Sequence, residues 1–331
     1  MKILVDCFGG DNCPKAAVEG AVLAINEKKD LFVSLVGNQE TIQSLLSTLS
    51  YNKDQLEIID AKDVVTNDDN PIMAIRRKRE SSMVVALNKL HEGDYDGLVS
   101  TGNTGALLTG ATLIVRLIDG VQRALLVPIV PTVIEGKYTV VCDAGANVDC
   151  KPSMLKEFAI MGDVYMKSAF NIENPKIGLL SNGAEEEKGN ALTKETHKLL
   201  KESGLNFVGN VEATDFVSGV VDVIVCDGFD GNIAIKATEG MAKNFSKMIK
   251  DGVKKGGLKA KIGALLLKDT LRGVKKKMST DEVGGATLLG VQKVVVKTHG
   301  SSTEVPFKVA ILQAAKLAND NVCDMIAKGM K

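Results

Sequence analysis

Residues able to handle an anion recur in this chain at one kind of place, immediately after a short apolar run. ILVD (3–6) is followed by CFGGDNCP (7–14), GLVS (97–100) by TGNTGA (101–106), and YTVVCD (138–143) by AGANVDCKP (144–152). KIGLLS (176–181) leads into NGAEEEKGN (182–190), VIVCD (223–227) into GFDGN (228–232), and KVVVKT (293–298) into HGSS (299–302). Glycine beside a small polar residue lets a phosphate or carboxylate approach free backbone N–H groups. A single turn of this type is equally well read as a helix cap, with Asn103 or Thr104 satisfying orphan N–H groups. Six of them in register with six apolar runs describe one polar floor.

Within that floor, Lys188 can pair with phosphate as a point charge or stabilise a developing oxyanion. The preceding Glu185, Glu186 and Glu187 suit the first turn of a helix, where acids complement the dipole. Asn103 and Asn232 carry amides that either cap a helix or donate to a thioester or phosphate oxygen. His299 is an acid/base candidate or a structural side chain. Of six cysteines, Cys150 alone is kept as a nucleophile candidate, and Cys7, Cys142 and Cys226 read as small buried hydrophobes.

The elements that position these turns are legible from periodicity. LFVSLVG (31–37), LEIID (56–60) and ALLVPIV (124–130) add to the runs above as strands. Helical spacing covers 14–28, 71–91, 104–117, 152–169 and 188–203. Apolar strands alternating with helices predict a largely parallel sheet covered on both faces, with ligands at the carboxyl ends of its strands.

Composition excludes several classes. The chain has 331 residues, with Lys+Arg and Asp+Glu both at 41, no Trp and four Tyr. The even overall charge argues against a general nucleic-acid binder, and the scarcity of aromatics removes the stacking platforms that single-stranded nucleic acid would want. Six cysteines without a C-x-x-C pair and only three histidines argue against zinc or a disulfide framework, and no metal or cofactor is expected. No G-x-G-x-x-G follows the first strand and no P-loop motif occurs. The opening MKILVD reads as a strand rather than a leader, and no apolar run is long enough to span a bilayer; the expectation is a cytoplasmic protein.

One segment departs from the even charge. Residues 243–278 hold 12 Lys/Arg against two Asp. Apolar residues fall at helical spacing on both sides of Gly256-Gly257. The expectation is a protruding helical hairpin over 239–278, basic on one side and apolar on the other. Its tip, with Leu258, Ile262, Leu265, Leu266 and Leu267, is expected to contact an anionic membrane. A solvated helix packed on its own domain is the alternative.

Taken together, VDCFGGDNCP, STGNTGALL, DAGANVDCKP, EEEKGN, VCDGFDGN and VGGATLLGV with HGSS resemble the bacterial phosphate acyltransferases of phospholipid synthesis. The resemblance runs from the first strand to the last helix. It implies a Rossmann-like three-layer α/β/α fold, a single catalytic domain over 1–331, and a homodimer. It also implies transfer of a fatty acyl group from acyl carrier protein to inorganic phosphate. The acyl phosphate would then pass to a membrane glycerol-3-phosphate acyltransferase, the enzyme associating peripherally with the inner face of the cell membrane. On this reading Lys188 and Asn232 are the catalytic candidates. The substrate-binding candidates are Gly9, Gly10, Asp11, Gly102, Asn103, Thr104, Gly105, Asn147, Asp227, Gly231 and His299. A phosphotransacetylase using short acyl-CoA and a non-catalytic membrane scaffold are the rival readings.

Overall fold

The computed structural model describes residues 1–277 and 283–331. Its strands form two sheets, where the sequence reading expected one. The seven-stranded sheet runs β3 (Leu56–Asp60), β2 (Phe32–Gly37), β1 (Lys2–Asp6), β4 (Gly97–Ser100), β12 (Val294–Lys297), β11 (Ala286–Leu289), β5 (Leu125–Val127). The five-stranded sheet runs β6 (Ile129–Pro131), β7 (Tyr138–Cys142), β10 (Val223–Val225), β8 (Ile177–Leu180), β9 (Phe207–Val211). β11 and β6 pair antiparallel with their neighbours; the other named pairs are parallel.

The division falls inside ALLVPIV, which the sequence reading took as one strand. Pro128 has no N–H for a ladder bond. The chain changes sheet there: Leu125–Val127 pair with β11, and Ile129–Pro131 pair with β7. The strands β9 and β11 were not anticipated. FVGNV carries a glycine and sits at a sheet edge, and ATLL is too short to show a period.

The helices are α1 (Lys15–Glu27), α2 (Gln39–Leu46), α3 (Pro71–Arg77), α4 (Ser82–Glu92), α5 (Thr104–Gly110) and α6 (Pro152–Phe170). They continue with α7 (Ala191–Lys201), α8 (Gly228–Lys255), α9 (Gly257–Leu266), α10 (Lys268–Lys277), α11 (Glu304–Asn319) and α12 (Val322–Gly329). The pattern at 71–91 is two helices rather than one, because Ser81 caps a new start by accepting from Val84 N. Asn38, Asn70, Asn103, Asn190 and Asp227 cap α2, α3, α5, α7 and α8 in the same way. A cap of this kind contributes about 1 kcal/mol.

The alternation of side chains along each strand builds three layers. Ile3 and Val5, Val294 and Val296, Val140 and Cys142, and Val223 and Val225 all point into one core shared by both sheets, packed with α1, α6 and α11. The intervening Leu4 and Val295 face a second core with α4 and α5, while Val141 and Ile224 face a third containing Phe216. Asp143 ties the sheets together: its carboxylate accepts from Leu126 N of β5 at 2.9 Å and from Ala144 N and Asn147 N beyond β7.

α8 starts at the end of β10 and runs on to Lys255, so the segment foreseen as the first limb of a hairpin is continuous with the strand-end turn. Gly256 ends it and Gly257, at φ +68°, starts α9. Leu258, Ile262, Leu265, Leu266 and Leu267 are all exposed, Leu266 by 81%. Met278, the last residue of that expectation, lies outside the described residues. Among the described residues no helix is long and apolar enough to cross a membrane.

Candidate active site

Four of the six decorated turns contribute to one cleft of about 540 Å³. Thr104 comes from the turn after β4, Thr298 and His299 from the turn after β12, Ala144 from the turn after β7, and Asn232 from the first turn of α8 after β10. The polar floor is therefore assembled from strand ends of both sheets. Beyond it the cleft continues between apolar walls made by Leu126, Pro128, Ile129, Val130, Phe216 and Ile235. The sheet-switching segment that broke the strand pattern thus supplies much of that wall.

Asn232 lines the cleft, and its amide makes no hydrogen bond among the described residues. One helical turn on, Lys236 lines the same cleft from the same face of α8. Gly228 and Gly231 allow α8 to start this close to β7. A Cβ on Gly231 would lie 2.0 Å from the Asp143 carbonyl oxygen, and one on Gly228 would lie 2.7 Å from the Asp143 carboxylate. His299 Nδ1 accepts from Ser301 N at 3.2 Å, which leaves Nε2 to carry the proton of the neutral ring.

Several candidates hold the turns in place instead of lining the cleft. Asn103 caps α5 through Ala106 N and donates to the carbonyls of Thr66 and Asn67, so its amide is fully engaged. Asp227 accepts from Asp230 N at 2.8 Å as the cap of α8. The Asn147 amide donates to the Ala124 carbonyl and the Asp143 carboxylate. Gly9 and Gly10 pack the β1 turn against the β4 turn, where a Cβ on Gly10 would meet Thr101 Oγ1 at 2.2 Å. Asp11 donates its N–H to the Gly300 carbonyl at 2.8 Å, linking the β1 and β12 turns. Gly102 and Gly105 are similarly confined by Met83 and Pro71.

Lys188 is exposed, in the turn after β8, and is not among the residues lining the cleft. It shares the carboxyl edge of the five-stranded sheet with α8, because β8 and β10 are parallel neighbours with Leu179 opposite Val225.

Lys297 was missed by sequence reasoning. It ends β12, lines the cleft and is half-buried, with Nζ donating to the Thr101 carbonyl at 3.1 Å. Burial lowers its ammonium to about 8, against the opposing pull of Asp6. In the sequence it passes for the penultimate residue of KVVVKT, a polar end to an apolar run. The available signal was a cation closing a strand whose preceding valines are buried on both faces.

Cys150 is half-buried, and burial pushes its thiol up to about 12. A thiol held in that state is a poor nucleophile at neutral pH. Cys150→Ala is therefore expected to keep near-wild-type turnover. A folded but inactive variant, together with a labelled acyl group trapped on the intact enzyme, would establish an acyl-enzyme path instead.

The family model described as "Fatty acid synthesis protein" matches residues 1–325. A phosphate acyltransferase of Clostridium acetobutylicum is 47% identical, covering 100% of this chain and 99% of its own. One from Clostridium botulinum is 50% identical, with coverages of 99% and 98%. Among solved structures, a phosphotransacetylase from Streptococcus pyogenes matches with a TM-score of 0.62 at 20% identity, covering 96% of this chain and 94% of that one. A branched-chain phosphotransacylase from Enterococcus faecalis matches with a TM-score of 0.57 at 14% identity, covering 96% and 99%. The solved structures share the fold. The sequence matches, nearly half identical from end to end, show that the chain belongs to the fatty acid synthesis protein family as a phosphate acyltransferase, an enzyme of that type.

Proposed function

We propose that the enzyme moves a fatty acyl group from the thioester of acyl carrier protein to inorganic phosphate, releasing acyl phosphate for phospholipid synthesis. The observation that carries this reading is the form of the cleft. Amide, hydroxyl and ammonium groups at the strand ends open directly into a trough with apolar walls, within a volume of about 540 Å³. A short acyl group needs only the polar end. A long chain uses both, and each buried methylene adds about 0.8 kcal/mol of binding.

Hydrogen phosphate already carries anionic oxygens and needs no base to attack. Its oxygen forms the new C–O bond, the C–S bond breaks, and the hydrogen-phosphate proton ends on the departing carrier thiol. The enzyme supplies alignment and a stabilised tetrahedral oxyanion. Asn232, whose amide lines the cleft and makes no hydrogen bond among the described residues, is assigned to the thioester oxygen, and Lys188 is assigned as the second, cationic partner from the neighbouring turn. The test is to incubate long-chain acyl carrier protein with phosphate and trap acyl phosphate with hydroxylamine. Hydroxamate that depends on both substrates supports the reading, and hydroxamate formed equally from acetyl-CoA favours the short-chain rival.

Residues 239–278 are assigned to a membrane surface. Met241, Phe245, Met248, Leu258, Ile262, Leu265, Leu266 and Leu267 expose apolar side chains in a segment rich in lysine. The expected localisation is cytoplasmic, peripheral to the inner face of the cell membrane, as a homodimer that hands acyl phosphate to a glycerol-3-phosphate acyltransferase. The protein is expected to sediment with phosphatidylglycerol-rich vesicles and to be released as salt screens its lysines. Replacing Leu266 and Leu267 together with Glu should abolish sedimentation while activity on free acyl carrier protein survives. Equal binding to neutral vesicles would remove the electrostatic part. A variant that unfolds or dissociates to monomers would assign the leucines to protein packing.

A further inference from the structure

Lys297 stands opposite Ser100 in the register of β12 with β4, one residue before the turn that leads to α5. Its Nζ donates to the carbonyls of Thr101 and Thr298. An ammonium has three N–H bonds, so one remains. Among the described residues Lys297 forms no ion pair with a carboxylate. The adjacent Thr298 is 2% exposed and its Oγ1 has no hydrogen-bond partner among the described residues. A buried hydroxyl left unpaired is destabilising, and a ligand oxygen would relieve it. Both residues line the cleft beside Thr104 and His299.

We infer that Lys297 and Thr298 hold the phosphate that attacks the thioester, Lys297 as its charge partner and Thr298 by donating its hydroxyl. This rests on the reaction proposed above and divides its labour. The β12 end fixes the nucleophile, while the turns after β10 and β8 act on the thioester oxygen. Lys297 exchanges no proton in the balanced reaction. A cation tethered to two backbone carbonyls is already oriented, so little is lost in ordering it when the anion arrives.

The titratable groups around Lys297 are Asp6 on β1, Cys13 in the turn after β1, His299 in its own turn, and Lys236 and Glu239 of α8 on the same cleft. Asp6 is buried and accepts from Ser100 Oγ at 2.7 Å, and burial raises the Cys13 thiol, keeping it neutral near pH 8. Burial has lowered the Lys297 ammonium to about 8. Below that pH the free enzyme carries the cation. Above it the cation is lost, and kcat/KM for phosphate should fall by about tenfold per pH unit.

The test combines calorimetric titration of inorganic phosphate with initial rates for the full-length enzyme, Lys297→Met and Lys297→Arg. Lys297→Met should weaken phosphate binding and raise KM for phosphate by about 10- to 100-fold, with KM for acyl carrier protein unchanged. Lys297→Arg should bind phosphate more tightly than the Met variant and lose the alkaline fall, because arginine stays charged throughout. Phosphate affinity within twofold of wild type in a folded Met variant, or an alkaline fall that persists in the Arg variant, overturns the inference. A rise confined to KM for acyl carrier protein also overturns it, and assigns the cation to the phosphodiester of the carrier's pantetheine arm. If the Met variant does not fold, the Arg profile decides alone. Wild-type enzyme that binds phosphate through Lys297 yet forms no acyl phosphate would bring down the proposed reaction and leave the anion site standing.

Discussion

Asn232→Ala is expected to lower kcat by about two to three orders of magnitude while leaving the melting temperature and the KM for phosphate unchanged. The amide lines the cleft and makes no hydrogen bond among the described residues, so removing it breaks no contact of the fold. On the proposed reaction it removes a donor to charge that develops only in the transition state, and such a loss appears in kcat rather than in ground-state binding. Lys188→Ala should give a loss of similar size, because that side chain is exposed and contributes charge rather than packing. If both act on one oxyanion, the double variant should fall by less than the product of the two single losses. Strict multiplicativity would separate their roles, and near-normal activity in Lys188→Ala would remove that residue from the mechanism.

Two glycines of α8 are expected to respond to the same substitution with opposite signs. In an open helix position, Gly→Ala stabilises by up to about 1 kcal/mol. Gly240 is such a position, with nothing within 4 Å of the added Cβ. At Gly231 the added Cβ would lie 2.0 Å from the Asp143 carbonyl oxygen and 2.8 Å from Cys226 Sγ. Neither atom can move far, since one is backbone and the other is buried. Gly231→Ala should therefore destabilise by about 1–3 kcal/mol, and kcat should drop as Asn232 shifts with the helix. Urea unfolding of the two variants measures both. Stabilisation at Gly231 would mean that α8 does not start against β7 as described.

Much of this architecture was legible because the buried strands advertise themselves. ILVD, VIVCD and KVVVKT are apolar at consecutive positions, which only a sheet covered on both faces requires, and each proved to be such a strand. The division into two sheets was not legible, because ALLVPIV is apolar throughout and its single proline marks the crossing without saying where the chain goes. The six decorated turns were found by composition, yet composition could not say which polar groups face a ligand. Asn103 and Asn232 are alike in sequence, each in a glycine-containing turn where a strand gives way to a helix. One is spent on a cap and three backbone carbonyls, and the other makes no hydrogen bond among the described residues. Lys297 escaped notice for the converse reason, since it looked like the end of a strand and is also a cation that lines the cleft.

The most direct test of the account follows kcat/KM with labelled inorganic phosphate along a series of acyl carrier protein thioesters of increasing chain length. If one cleft holds the acyl chain and presents its thioester to phosphate at the strand ends, each added methylene should raise kcat/KM by about fourfold, from about 0.8 kcal/mol per buried methylene, until the apolar trough is full. Labelled acyl phosphate should be the product at every length. A series that is flat with chain length, or one in which acetyl-CoA serves as well as the long-chain carrier thioester, would contradict it.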